Sequence, residues 1–453
     1  MDARKTSILP FEWVAAARRR LVRSRAGARG LALVLGLLLL PALASAHREH
    51  ERREGPHEER SHGEPRHPER PGTHVVHPGG SIQAALDAAA PGSKVIVMPG
   101  IYHETSDPTG TNALRVTKSG IRLIGKSHGD RRVILENAGG QRNGIVVVPE
   151  DRTACMDCHE SMSPPFPLLP GVVHSGPGFP DPVIHGFEIE GITIRNFANN
   201  GLFLERVDGF HIEDLQSIEN DDYGIFPTRS RNGEIEESYV RGSDDAGIWV
   251  ETSEHVVVEE NLVEDNVNGL EVSNSDDILF VRNESRNNTA GALLLLESDL
   301  VPIRPASSRN VFRDNWIHDN NRPNTGTPGS LLSQVPPGTG ILHLAVDDAT
   351  IEGNRIENNH FFGVAITDFC VAVLGTPFDC SRVPPAFDPA PEDNRVVGNV
   401  FSNNGTQPPA GNPFAFAASD IALVTIGDGG NCFAANTFST FFRFFGTGLP
   451  GCP

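Results

Sequence analysis

Two aspartate pairs, Asp221–Asp222 and Asp244–Asp245, precede Gly224 and Gly247 by the same two to three residues. Carboxylates crowded into one place cannot all ionise, so one pKa rises and a general acid forms beside a general base. The same oxygens can instead hold Ca²⁺. Glycosidic bond cleavage needs two carboxyl groups about 5.5 Å apart for retention or 6.5 to 9.5 Å for inversion. Asp222 and Asp245 stand at identical positions and are expected to be the closest pair. One residue beyond each glycine and its apolar neighbour, the chain carries Phe203, Phe226 and Trp249, with Glu205 and Glu251 two residues further. Alternation in a strand points all five outward, so an exposed aromatic stripe with a carboxylate rim is expected, able to stack on sugar rings. The competing readings are that an inserted loop packs over the stripe, and that the aspartates are ordinary turn residues.

A second candidate is Cys155-Met156-Asp157-Cys158-His159. Two cysteines followed by a histidine at this spacing are the attachment motif of c-type haem, with Met162 or His174 available as a second axial ligand. A short disulfide between Cys155 and Cys158, or a metal site completed by His159, uses the same residues. An absorption spectrum of protein made in cells competent for cytochrome c maturation separates these readings.

The elements that position these residues repeat. Gly201, Gly224, Gly247, Gly269, Gly291, Gly340 and Gly363 each open a short apolar run, with successive spacings of 23, 23, 22, 22, 49 and 23 residues. A period near 22 built from strands and Asn/Asp/Gly turns is one coil of a parallel β-helix per repeat. Leu202, Ile225, Ile248, Leu270 and Val364 share one phase and are expected inside. Asn261, Asn283, Asn315, Asn354 and Asn399 each follow a comparable strand and are expected to stack as an inward amide ladder. About a dozen coils at ~4.8 Å each give a rod on the order of 55 Å long. Three segments break the period, Glu150 to Pro182, Glu297 to Ser308 and Asn321 to Pro337, and should loop out of the stack. Ser81 to Ala90 reads as a helix with Ser81 as N-cap, followed by a strand from Lys94 and a turn at Pro99-Gly100.

The stretch from Ser81 to Glu104 together with the 22-residue coils resembles the right-handed parallel β-helices of the pectate-lyase-like superfamily, which includes carbohydrate-binding proteins and sugar hydrolases. The resemblance spans residues 79 to 405. It implies an all-β right-handed solenoid capped by the N-terminal helix, and a polysaccharide that is bound on the outer face and is open to cleavage there by a hydrolase or lyase. Gly242-Ser243-Asp244-Asp245 is similar to the aspartate-pair motif of polygalacturonase-like hydrolases, but the Asn-Thr-Asp, Gly-His-Gly and Arg-Ile-Lys motifs of that family are missing. The Asp-Pro-His-Asp signature of alginate epimerases is missing too. Two alternatives therefore stand beside glycan binding: a non-catalytic envelope or surface scaffold, and a haem-bearing accessory in periplasmic electron transfer or metal handling.

Composition narrows the partners. Residues 1 to 46 read as an export signal, with arginines before an apolar run from Gly30 to Leu43 that ends in Ala44-Ser45-Ala46. Its ~14 apolar residues are too few for a span of about 20, so a secreted or periplasmic protein with no membrane span after cleavage is expected. Without the leader, 30 basic residues (38 less 8) face 56 acidic ones (58 less 2), a formal charge of −26. Nucleic acid would be repelled, and neutral or cationic partners fit better. Residues 47 to 78, rich in His, Arg and Glu, read as a disordered tether able to gather a transition metal. In an oxidising compartment Cys370 pairs by proximity with Cys380, and Cys432 with Cys452. Residues 406 to 453, with Phe438, Phe441, Phe442, Phe444 and Phe445, should seal the C-terminal end, and a monomer is expected.

Overall fold

The computed structural model describes residues 70–150 and 183–453, apart from 373–379, 381–382 and 384–385. Among these residues, strands form three parallel sheets of twelve, eleven and ten strands. One coil runs through Arg231–Glu236 in the twelve-stranded sheet, Tyr239–Arg241 in the ten-stranded sheet and Ala246–Glu251 in the eleven-stranded sheet. Every strand then pairs in parallel with its counterpart in the next coil, as Ile248 does with Leu270. This is the expected all-β parallel solenoid.

Two corners of each coil turn on single residues. Arg206, Arg229, Thr252 and Asn274 link the eleven- to the twelve-stranded sheet with positive φ, and Asp214, Glu237, Glu260, Arg282 and Asp314 do the same at the next corner. A left-handed non-glycine residue costs about 1–2 kcal/mol, and the pairing it permits along the full stack offsets that cost. The glycines that open the strands of the eleven-stranded sheet have a different cause. A Cβ on Gly224 would lie 2.2 Å from Val240 Cγ1 and 2.5 Å from the Gly247 carbonyl oxygen, so only a hydrogen fits between stacked coils.

The interior is apolar. Leu202, Ile225, Ile248, Leu270 and Val364 are buried in one continuous core, as their shared phase requires. Polar groups enter it as ladders. Asn261, Asn283, Asn315, Asn354 and Asn399 hand one hydrogen bond to the next through their side-chain amides at 2.9–3.0 Å. A second ladder, five residues further along each coil, runs Asn266, Asn288, Asn320, Asn359, Asn404 and ends on Asp420. Each amide also caps a backbone N–H of the coil before, so the buried polar groups at these turns are paired.

The ends differ from the sequence reading in detail. Helix Ile82–Ala88 forms with Ser81 accepting from Ala84 N and places Ile82 and Leu86 on the core. The twelve-stranded sheet begins earlier than residue 79, with Thr73–Val76 paired to Lys94–Val97, and the eleven-stranded sheet extends beyond 405 to Phe441–Arg443. Phe438, Phe441 and Phe445 are exposed and Phe442 and Phe444 only half-buried, so the phenylalanines do not seal this end. The closing tail is instead held by the Phe433 N–H donating to Pro450 O, by Leu449 packing on the core and by the Cys432–Cys452 disulfide. Cys370 and Cys380 are also bonded, as expected.

Candidate functional site

The outer face of the eleven-stranded sheet carries the expected residues in register. Phe203 pairs with Phe226, Ile225 with Ile248, and Trp249 with Glu271. The rings stack as a ladder, with Phe203 and Phe226 edge-on at 5.3 Å and Phe226 and Trp249 parallel at 4.5 Å. Tyr223, one residue before Gly224, packs on both Phe226 and Trp249 at 4.7 and 4.9 Å.

The expectation of an exposed stripe is corrected here. Phe203, Phe226 and Trp249 are only 6%, 4% and 3% exposed, and belong to an apolar cluster with Val146, Val148 and Ala246. Alternation gave the direction of these side chains, but direction on a solenoid does not determine cover. Glu205 and Glu251 point the same way and are buried as well.

Two described insertions account for the cover further along this face. Val301, Leu332 and Val335, from the segments at 297–308 and 321–337, join Leu293, Leu295, Leu296 and Leu344 in a second outer cluster. Thr325 reaches back to donate to Asp244 Oδ1 at 2.9 Å. Four carboxyl groups are buried on and beside this face, Glu205, Glu251, Glu271 and Glu297, each less than 9% exposed. Thr228 donates to Glu251, Asn268 Nδ2 donates to Glu271 Oε2 at 2.8 Å, and Trp249 Nε1 donates to Ser273 Oγ at 3.0 Å. Arg229 lies 3.6 Å from Glu205. Burial drives the Tyr223 phenol pKa well above its usual value, and Asp245, Asp222, Glu271 and Glu297 push it further. Tyr223 is therefore a proton donor at neutral pH and not a base; its hydroxyl donates to Asp245 Oδ2 at 3.4 Å.

The aspartate pairs align as expected, since the N–H groups of Asp244 and Asp245 donate to the carbonyls of Asp221 and Asp222. They sit on the surface, Asp221 and Asp244 exposed and Asp222 and Asp245 half-buried. Partial burial, and then the Asp244 charge, raise the Asp221 pKa. Tyr223, Asn268, Glu271 and Glu297 were not singled out from sequence, although Glu271 occupies in Gly269-Leu270-Glu271 the place that Trp249 holds one coil earlier. Cys155, Cys158 and His159, with Met162 and His174, lie outside the described residues.

A separate constellation sits on the outer face of the twelve-stranded sheet. His211, Glu234 and Glu236 offer ligand atoms within 4.8 Å of one another. His211 Nε2 is 2.8 Å from Glu236 Oε1 and 3.9 Å from Glu234 Oε2. Burial disfavours the imidazolium, but the Glu236 hydrogen bond and the charges of Glu236, Glu234 and Glu213 outweigh it and raise the pKa.

The three-sheet parallel winding decides the class. The chain is a parallel β-helix. Residues 186–410 match a family described as "Periplasmic copper-binding protein (NosD)", and this segment contains both constellations. That description agrees with the secreted or periplasmic location expected from the leader, and among the described residues no helix is long and apolar enough to cross a membrane. No curated protein matches the chain. Among solved structures it is similar to the Azotobacter vinelandii mannuronan C-5 epimerase AlgE4 A-module, at 14% identity over 81% of this chain and 95% of that one, TM-score 0.44. It is similar to DFA-IIIase from Arthrobacter chlorophenolicus A6 without its lid, at 14% identity over 81% and 83%, TM-score 0.47. Pectate lyase Pel9A is 12% identical over 83% and 78%, TM-score 0.41. These are likenesses of fold.

Proposed function

We propose that this β-helix protein acts outside the cytoplasm by binding a polysaccharide on the outer face of its eleven-stranded sheet, around Trp249, Glu251 and Glu271. One observation carries the reading: four carboxyl groups are buried beside a stacked aromatic ladder on an outer face. Burying ionisable groups is unfavourable and a solenoid can keep them in water, so their concentration here supports a site rather than scaffolding. The β-helix neighbours named for mannuronan and pectate chemistry fit the same class.

The test is calorimetric titration of the mature protein with neutral and charged oligosaccharides. Binding is expected to weaken about tenfold or more in Glu251→Gln and Glu271→Gln, the scale of one charge-assisted hydrogen bond, with the melting temperature retained. Failure of every oligosaccharide to bind, or binding indifferent to both changes, overturns the reading. Should turnover accompany binding, Asp222→Asn or Asp245→Asn is expected to abolish it while affinity stays. If these aspartates hold Ca²⁺, the same changes erase the rise in melting temperature produced by calcium.

A second reading, metal handling, is favoured by the family matched over residues 186–410. The His211–Glu234–Glu236 donors fit Cu²⁺ or Zn²⁺, since one imidazole and two carboxylates are borderline and hard ligands, and they do not suit Cu⁺, which prefers sulfur. Here the metal would be cargo. His211→Ala is expected to lower the affinity for Cu²⁺, and an unchanged titration removes this site from the reading.

A further inference from the structure

We infer that two copies of this chain associate end to end through the C-terminal end of the solenoid, where the apolar core is left open. One inner row of the eleven-stranded sheet ends Val364, Ile421, Phe441, and one of the ten-stranded sheet ends Ile317, Ile356, Phe401. Thr437 bridges in parallel to Val400, which places Phe438 after Phe401 in the second row. The five residues before them in these rows are buried in the continuous core. Phe441 and Phe438 are 46% and 38% exposed, because among the described residues no coil stacks on them. Their rings meet edge-on at 6.1 Å. Phe416, 61% exposed, lies against Phe442 of the last strand at 5.4 Å. The opposite end is closed, since helix Ile82–Ala88 lays Ile82 and Leu86 on the core.

Charge and area favour a second copy as the cover. Residues 401–453 carry three charged side chains, Asp420, Asp428 and Arg443. Asp420 is buried, and Asp428 pairs with Arg443. Two mature chains of charge −26 repel each other over most of their surfaces, and this end is where they meet without that cost. Phe416, Phe438 and Phe441 together leave about 300 Å² of surface in water, at ~200 Å² for one phenylalanine. An exposed apolar patch of this size marks an interaction site. Copies related by a two-fold axis present the same rings to each other, an isologous contact that closes as a dimer. The helix-capped end offers no such counterpart. The rings of two copies supply about 600 Å², half of the ~1,200 Å² at the lower bound of a stable interface. The open edge of strand Phe441–Arg443 adds backbone groups to the contact. The association is therefore weak and reversible, in place of the monomer expected from the sequence.

The experiment is analytical ultracentrifugation of the mature protein from about 1 to 200 µM, a range that spans a weak interface. The weight-average mass is expected to rise toward about twice the monomer value as concentration increases. Phe416→Asp and Phe441→Asp are each expected to hold it at the monomer value, since each sets a carboxylate against its own twin in a desolvated contact. Val75→Asp, at an exposed position of the first strand Thr73–Val76, probes the other end and is expected to leave the dimer unchanged. Circular dichroism and melting temperature check that the variants fold; if Phe441→Asp loosens the last strand, Phe416→Asp, which stands outside the core rows, carries the test. A monomer at every concentration overturns the proposal. Binding of that monomer to neutral phosphatidylcholine vesicles, abolished by Phe416→Asp, would then assign the end to a membrane surface. A dimer that persists in both phenylalanine variants, or is lost in Val75→Asp, places the contact elsewhere and overturns the proposal too. Masses that grow beyond the dimer show head-to-tail stacking and do the same.

Discussion

The outer faces of the twelve- and eleven-stranded sheets are built by the same coils in the same register, yet they meet opposite surroundings. On the twelve-stranded face, acids pair with bases at the surface: Arg122 with Glu188, His211 with Glu236, and Arg282 with Glu259 and Glu260. On the eleven-stranded face, Glu205, Glu251 and Glu271 are buried beside Phe226 and Trp249. The repeat dictates which way a side chain points. What lies over it is decided elsewhere, on this face in part by the segments at 297–308 and 321–337, which pack on Leu293 and Leu295. A solenoid can therefore keep one outer face soluble and convert another into a shielded polar and aromatic compartment without altering a coil.

The sharpest way to break that comparison is to truncate one outward residue on each face. Trp249 is buried and stacked on Phe226 and Tyr223, so Trp249→Ala is expected to destabilise by about 3–5 kcal/mol, as for other buried tryptophans. Glu234 stands on the twelve-stranded face, partly exposed, and Glu234→Ala is expected to stay within about 0.5 kcal/mol. Urea unfolding of both variants measures the difference. Comparable small losses at both positions would mean that Trp249 packs loosely, and the distinction between the faces would fail.

The inward side of the eleven-stranded sheet gives the next effect. His343 replaces an aliphatic residue in the row between Leu294 and Ile366 and is fully buried, with Nε2 3.0 Å from Asn394 Oδ1. Burial lowers its pKa from 6.5 to about 4. The unfolded chain thus takes up a proton as pH falls below about 6.5 while the native chain does not until about 4, so native stability falls across that window. Between pH 7.5 and 4.5 the loss from this residue is about 2–3 kcal/mol. His343→Leu is expected to abolish that share, since Asn394 Oδ1 still accepts from Ala349 N. Asp347, whose pKa burial raises to about 6, acts in the opposite direction but equally in both proteins, so it cancels. Parallel acid-induced losses in the two proteins would refute the assignment.

These examples also separate what was legible in the sequence from what was not. The inner row and the ladder from Asn261 to Asn399 could be read because a single phase repeats at 22–23 residues. The second ladder, Asn266 to Asn404, lies five residues further in every coil, behind three-residue strands such as Leu262–Glu264 and Trp316–His318, and was equally periodic, so the same spacing could have found it. The aromatic register was legible while its burial was not, because alternation carries no information about residues brought over a face from a distant insertion. Asn268 and Glu271 could have been found by extending the Trp249 register one coil.

The smallest expected effect sharpens the comparison from the solvated side. Glu190, Glu213, Glu236 and Glu259 occupy one position on successive coils of the twelve-stranded sheet, a column of like charges at strand spacing. Like charges directly opposite one another destabilise a sheet. Partial burial raises the Glu213 pKa, and the charges of Glu236 and Glu190 raise it further, against the lowering influence of His211. A raised pKa means the native state prefers the protonated carboxyl, so the ionised form costs stability above the folded pKa and nothing below the unfolded one. Glu213→Gln keeps the shape and removes the charge. At pH 7 and low salt it is expected to raise stability by a few tenths of a kcal/mol, discounted for solvent screening as for other surface charges. The gain should vanish below about pH 4, where both states are protonated, and shrink in 0.5 M salt. A loss of stability at pH 7 would mean that Glu213 is held by its pairing with His211 more strongly than its neighbours repel it, and the solvated face would then depend on its charges for stability as well as for solubility.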